Sequence, residues 1–280
     1  MVFAQPVTRA ASGQQHVRPT CFVENLGQAP QDVLWQVEGA GFEASFSRDS
    51  FVLRLFGASP EAATNSAKPT AAGGGAAGLS RLSSPGRISV TEQRIALAGA
   101  SPQARIEPLD PLPGKMSFFR GNNSKRWLRG LATYARLRYR NIYPGIDLLF
   151  YDNHGKLEYD FVAAPGADAG LIRLRVSGDS GAHVTASGEL QVGEGADAVL
   201  HRPLLYQNLA TGKRTIDGRF VELRDGTVGF QFANYDTSRT LVIDPTINLL
   251  YSTYIGGVHD DGATGIGLYS GPRISDQAIS

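Results

Sequence analysis

The stretch from Tyr134 to Ala163 narrows the folding options more than any other part of this sequence. Leu137 and Tyr139 alternate with Arg136, Arg138 and Arg140. Ile146, Leu148 and Phe150 carry the alternation up to Asp152-Asn153-His154-Gly155, and Leu157, Tyr159 and Phe161 resume it on the far side. A period of two sends successive side chains to opposite faces of a strand, and a turn between two such runs makes a hairpin. Tyr143-Pro144-Gly145-Ile146-Asp147 marks a second reversal just upstream, where proline presets φ and glycine permits the conformation that follows.

The same alternation recurs along most of the chain. Val33, Trp35 and Val37, then Phe42, Ala44 and Phe46, then Phe51, Leu53 and Leu55 form a first group within 21–57. From Arg87 to Ile247 further runs follow, among them Ile95-Leu97, Ile172-Leu174-Val176, Leu190-Val192, Val228 to Phe232 and Leu241-Val242-Ile243. No amphipathic helix of 12 residues is evident. Many short strands separated by turn signals point to a sandwich or a barrel of roughly 12 or more strands. The expectation is an all-β, β-sandwich-like domain over 21–247. Two packed β subdomains meeting near Pro165-Gly166 are the variant of that expectation. Residues 58–86, rich in Ala, Gly, Ser and Pro, read as a flexible insertion, since they bury too little to offset their ordering entropy. Residues 1–20 read as a disordered N-terminus.

Bulk properties set outer limits. The chain has 280 residues, 42% of them hydrophobic, which is enough for a packed core. Lys and Arg number 27 against 26 Asp and Glu, so no global attraction to nucleic acid is implied, and no nucleic-acid partner is expected. Cys21 stands alone, which rules out an internal disulfide. No run of about 18 apolar residues occurs, so no membrane span is expected. The first twenty residues lack the apolar centre of an intact signal peptide. Val2-Phe3-Ala4-Gln5 reads either as the tail of a signal missing its upstream part or as a plain disordered start.

Two clusters carry candidate chemistry. Between Pro111 and Ile146 lie eight basic residues and no acidic one: Lys115, Arg120, Lys125, Arg126, Arg129, Arg136, Arg138 and Arg140. Trp127, Tyr139 and Tyr143 are among the aromatics that interleave with them. Such a mixture suits a groove for nucleic acid or an anionic polysaccharide, with cations on charges and rings on planar or sugar faces. The plainer account is that Arg136, Arg138 and Arg140 line one face of a strand opposite Asp147, Glu158 and Asp160 on neighbouring strands, as cross-strand ion pairs. Those carboxylates form the second cluster. Glu158 with Asp147 or Asp160 could act as the acid and base of a glycoside hydrolase, or the group could hold Ca²⁺. The plainer account again assigns them to structure. The candidate binding set is therefore Trp127, Arg136, Arg138, Arg140, Tyr143, Asp147, Glu158 and Asp160, with no catalytic residue, no cofactor and no metal assigned beyond that Ca²⁺ option.

Other motifs carry less. Gly178-Asp179-Ser180-Gly181 imitates a serine-protease nucleophile loop but lacks a base in the expected context. Gly73-x-Gly75-x-x-Gly78 follows no strand and opens no helix, so it lacks what gives a dinucleotide fingerprint its meaning. The five histidines show no zinc-ligand spacing. Asn122-Asn123-Ser124 matches a glycosylation sequon formally and reads as a turn cap.

Seven segments resemble one family, in one order. FVENLGQAPQDVLW (22–35), IALAGASPQARIEPLDPLPGK (95–115), RGNNSKRW (120–127) and YARLRYRNIYPGIDLLFY with KLEYDFVAAPGAD (134–168) come first. PLLYQ (203–207), FANYDTSRTLVIDP (232–245) and YSTYIGG (251–257) complete the series. This pattern resembles the domain of unknown function that precedes SBBP-type β-propeller repeats in bacterial cell-surface and secreted proteins. The resemblance implies an extracellular or cell-surface location, and for any binding the expected partner is a polysaccharide or a cell-surface protein. It supplies no known catalytic residues, because the family is uncharacterised, and the expectation is a non-enzymatic structural or interaction module. Residues 248–280 resemble the start of a repeat that breaks off after Asp260-Asp261-Gly262, and the expectation there is a truncated, poorly ordered unit.

Overall fold

The computed structural model describes residues 20–39, 41–58, 88–178, 182–192, 198–245 and 247–249. The expectations for 1–19, 59–87 and 250–280, and for the middle of the Gly178–Gly181 turn, fall outside them. Nineteen strands occur among the described residues. A meander of β1 (Cys21–Glu24), β2 (Trp35–Gly39), β3 (Phe42–Phe46), β4 (Ser50–Ala58) and β5 (Ile88–Leu97) opens the chain. A long ribbon follows, β6 (Arg105–Phe118) with β7 (Leu128–Tyr143), and then the hairpin β8 (Ile146–Asn153) and β9 (Lys156–Ala163). After β10 (Leu174–Gly178) come β11 (Ala182–Val184), β12 (Leu190–Val192) and β13 (Ala198–Leu200). The chain ends with β14 (Leu204–Leu209), β15 (Gly212–Ile216), β16 (Gly218–Glu222), β17 (Val228–Phe232), β18 (Leu241–Asp244) and β19 (Ile247–Leu249).

The turns follow the local chemistry. Asn153 pairs with Lys156 across a two-residue loop in which His154 and Gly155 have φ of 52° and 83°. Positive φ at both positions gives the twist that matches two right-twisted strands. Tyr143 pairs with Ile146 across Pro144-Gly145, and Gly145 takes φ 73°, as the third residue of a proline-led turn requires.

Fifteen of the strands join one antiparallel sheet. Its order is β15-β14-β18-β9-β8-β7-β1-β2-β3-β4-β5-β10-β17-β16, and β6 lies against β7 off this path. β15 and β16, the two ends of the path, are joined by Asp217 alone, so the sheet nearly closes on itself. The all-β expectation holds, and of the two architectures that the strand pattern allows, this is the barrel-like one. The other four strands form a small sheet, β11-β12-β13-β19. It lends Leu190, Val192 and Leu200 to the same core.

Ring contacts trace the closure. Phe46 on β3 meets Phe150 on β8 at 4.8 Å, and Phe161 on β9 meets Phe230 on β17 at 6.0 Å. These strands are not neighbours in the sheet, so the rings meet across its interior. Phe22, Phe51, Tyr159 and Phe220 extend the series. The edge-to-face pairs among them, Phe46–Phe150, Phe51–Phe150 and Phe161–Phe230, add about 0.5–1.5 kcal/mol each beyond burial. Residues on either side of Pro165-Gly166 enter this one hydrophobic cluster. Gln207 is fully buried among them. Its Nε2 donates to the carbonyl of Asp236 at 2.8 Å and its Oε1 accepts from the Asp236 N–H at 3.0 Å, which pins the turn before β18.

Candidate functional site

β7 places its arginines as the alternation predicts: Leu137 and Tyr139 are fully buried, and Arg136, Arg138 and Arg140 point outward. Their partners are not the expected ones. Arg138 bonds to Glu107 at 2.6 Å, Arg140 reaches Glu107 at 3.5 Å, and Arg136 bonds to Asp110. Glu107 and Asp110 belong to β6, where Glu107 sits directly opposite Arg138. The Arg138 hydrogen bond, opposed only in part by burial, holds the Glu107 carboxyl below its ordinary pKa. Asp147 alone of the expected set approaches an arginine, Arg138, at 4.0 Å. Glu158 and Asp160 stand on β9, with β8 between them and β7. Tyr151 lies between Arg136 and Glu158, and Leu149 between Arg138 and Asp160. Two strand spacings make about 10 Å, too far for an ion pair.

The three carboxylates have other partners. Asp147 Oδ1 accepts the Asn141 N–H at 2.7 Å, where β7 bulges and Asn141 takes φ 51°. Glu158 accepts from Asn153 Nδ2 at 2.9 Å, beside the hairpin turn. Asp160 accepts from the Tyr151 hydroxyl at 3.2 Å. Burial raises the Asp160 pKa to about 7, with the Asp244 carboxylate adding to the effect. Burial and Glu158 raise Asp244 in turn. Lys213 opposes both shifts, and its Nζ also sits 4.2 Å from the centroid of the Tyr206 ring.

Tyr143 leaves the binding set. It is 2% exposed, and its hydroxyl donates to the Arg173 carbonyl at 2.9 Å. Burial pushes its pKa up to about 12. This tyrosine ties the end of β7 to the approach to β10, so it belongs to the core. Cys21 is buried in a small separate cluster with Val23 and Leu131, and burial raises its thiol to about 11.

Trp127 sits in a different setting, at the tip of the β6–β7 ribbon. Phe119 is 54% exposed and meets Trp127 edge to face at 5.4 Å. The Arg129 guanidinium lies 5.2 Å and 5.4 Å from the two ring centroids. The loop that carries them is well tied. Asn123 caps a short 3-10 turn by accepting the Lys125 N–H at 3.1 Å, and the Trp127 indole donates to Gly121 at 3.0 Å. Arg120 donates to the Gln28 carbonyl at 2.9 Å, which fixes the tip against the loop between β1 and β2. The sequence groups Trp127 with the strand arginines; Phe119 and Arg129 complete the tip cluster, and the fold separates that cluster from them.

A shallow groove of about 220 Å³ lies over the outer face of β2 to β5, lined in part by Gln36, Glu43, Arg54, Glu92 and Arg120. None of Asp147, Glu158 and Asp160 borders it. Among the described residues no set of three or more His, Cys, Asp or Glu side chains is arranged to hold a metal, and no helix is long and apolar enough to cross a membrane.

No curated protein and no solved structure matches the chain. A family profile does, over residues 22–246, which takes in the large sheet and both clusters described above. The chain belongs to the family described as the domain of unknown function DUF7948.

Proposed function

We propose that this domain is a non-catalytic structural and interaction module of a bacterial surface protein, exposed outside the cell and set beside SBBP-type repeats, with an envelope glycan as its partner. One observation carries the reading. The carboxylates that a hydrolase would need are engaged in holding a bulge, a turn and a tyrosine on the outer face of a sheet, while Lys125, Arg126 and Arg129 at the tip have no carboxylate in ion-pair reach among the described residues. The likeness of 251–257 to the start of a repeat supports the setting.

A second reading keeps one specific point in its favour. Asp160, with a pKa near 7 and Asp244 as its neighbour, has the protonation behaviour that a general acid needs. A panel of polysaccharides separates the two. The module reading expects retention on at least one polymer and no release of reducing ends. Release of reducing ends that Asp160→Asn or Glu158→Gln abolishes would establish a glycoside hydrolase and end the first reading.

A further inference from the structure

We infer that the tip of the β6–β7 ribbon is a docking site for an acidic polysaccharide of the polyuronate class, an inference that rests on the interaction-module reading above. The basic run divides at this point of the fold. Arg136, Arg138 and Arg140 are matched by Asp110 and Glu107. Lys125, Arg126 and Arg129 have no carboxylate within ion-pair distance among the described residues. An unneutralised cluster of cations beside a half-exposed phenylalanine gives an anion both charge complementarity and an apolar platform.

The chemistry of the occupant follows from that pairing. A pyranose ring offers a flat face of C–H groups that packs on an aromatic side chain. A uronate adds one carboxylate per sugar, which a guanidinium receives through two parallel N–H bonds. Arg129 is already held over both rings, so its donors are positioned before any ligand arrives. Phe119, Lys125, Arg126 and Arg129 are all exposed there, which suits a polymer lying across them better than a small molecule that must be surrounded. The tied loop, with Trp127 bonded to Gly121 and Asn123 capping the turn, keeps the ordering cost low.

The test uses the full chain and titrates it with polygalacturonate, the same polymer with its carboxyls methyl-esterified, and inorganic polyphosphate. Polygalacturonate should bind, and binding should weaken as salt rises. The esterified polymer should bind at least about tenfold more weakly, and Trp127→Ala and the double change Lys125→Gln with Arg126→Gln should each cost about tenfold or more. Arg136→Gln, in the paired half, should change affinity less than about twofold. Thermal unfolding of each variant checks that the fold survives, and Phe119→Ala replaces Trp127→Ala if the latter unfolds. Equal binding of polyphosphate with no effect of either aromatic change would reduce the tip to an ion exchanger and overturn the inference. Glycan binding that ignores every tip variant would overturn the inference while leaving the module reading intact. Release of reducing ends would overturn the module reading itself.

Discussion

The two halves of β7 carry similar side chains and treat them in opposite ways. In the second half, Arg136, Arg138 and Arg140 lie over a continuous aromatic core and meet carboxylates on β6. At the other end, where the ribbon reaches its tip, Arg129 meets rings instead, above a small satellite cluster around Leu131. The difference teaches what a basic residue on a sheet is for. Where strands flank it on both sides, the register supplies an opposite charge and the residue helps fix the pairing. Where the ribbon extends past its neighbours, no such charge is within reach and the cation stays available to a partner.

Core loss should divide the halves most sharply. Phe150 is fully buried and touches Phe46, Phe51, Tyr139 and Tyr159 behind the paired half. Phe150→Ala should cost about 3–5 kcal/mol in denaturant unfolding, while Phe119→Ala at the exposed tip should cost about 1 kcal/mol or less. Similar costs for the two would erase the distinction.

Acidity gives the next largest effect. Asp160 is raised from 3.8 to about 7 in the folded protein, so folding favours its protonated form. That contribution is complete below the unfolded pKa and is lost as pH rises through the folded one. Unfolding free energy should therefore fall by about 2–4 kcal/mol between pH 4 and pH 8. Asp160→Asn should remove most of that slope, with Asp244 accounting for the remainder. A wild-type profile flat over this range would refute the assignment. Glu107 has the opposite sign: its pKa is lowered by Arg138, and its contribution is present at neutral pH and lost on acidification below the ordinary 4.5.

The smallest effect sharpens the paired half itself. A double-mutant cycle on Glu107 and Arg138 should give a coupling of about 0.2–1 kcal/mol, as partly exposed pairs do. The same cycle on Arg138 and Glu158 should give zero within error, since β8 separates them.

The hairpin of β8 and β9 was legible because alternation and turn chemistry agree over a short span. The arginine row was legible for the same reason. Its partners were not, because they come from β6, and β6 does not read as a strand: Pro108, Pro111 and Pro113 interrupt it. A proline cannot donate to a ladder, so such a strand survives only at an edge, and among the described residues β6 pairs with β7 alone. Missing that strand sends the arginines to the nearest visible carboxylates, Asp147, Glu158 and Asp160, of which Asp147 alone approaches one of them. Tyr143 was misplaced for a different reason. It shares the parity of Leu137 and Tyr139 and faces the core with them, a placement hidden by the irregular stretch and turn around it, where Asn141 and Gly145 take positive φ. Trp35 was legible as core from its alternation with Val33 and Val37, and it is 7% exposed; Trp127 sits in no such alternation, and its place at a ribbon tip follows only from the fold.

The pairing of Ala58 with Ile88 has a use of its own. The chain leaves β4 and re-enters β5 at directly opposed positions, about 5 Å apart between Cα atoms. The closure entropy of a flexible connection between ends this close grows slowly with length, by about 0.6 kcal/mol for each doubling. The junction is therefore a port. An epitope, a fluorophore or a whole second domain could be spliced there, displayed beside the barrel, with little effect on the strands that hold it.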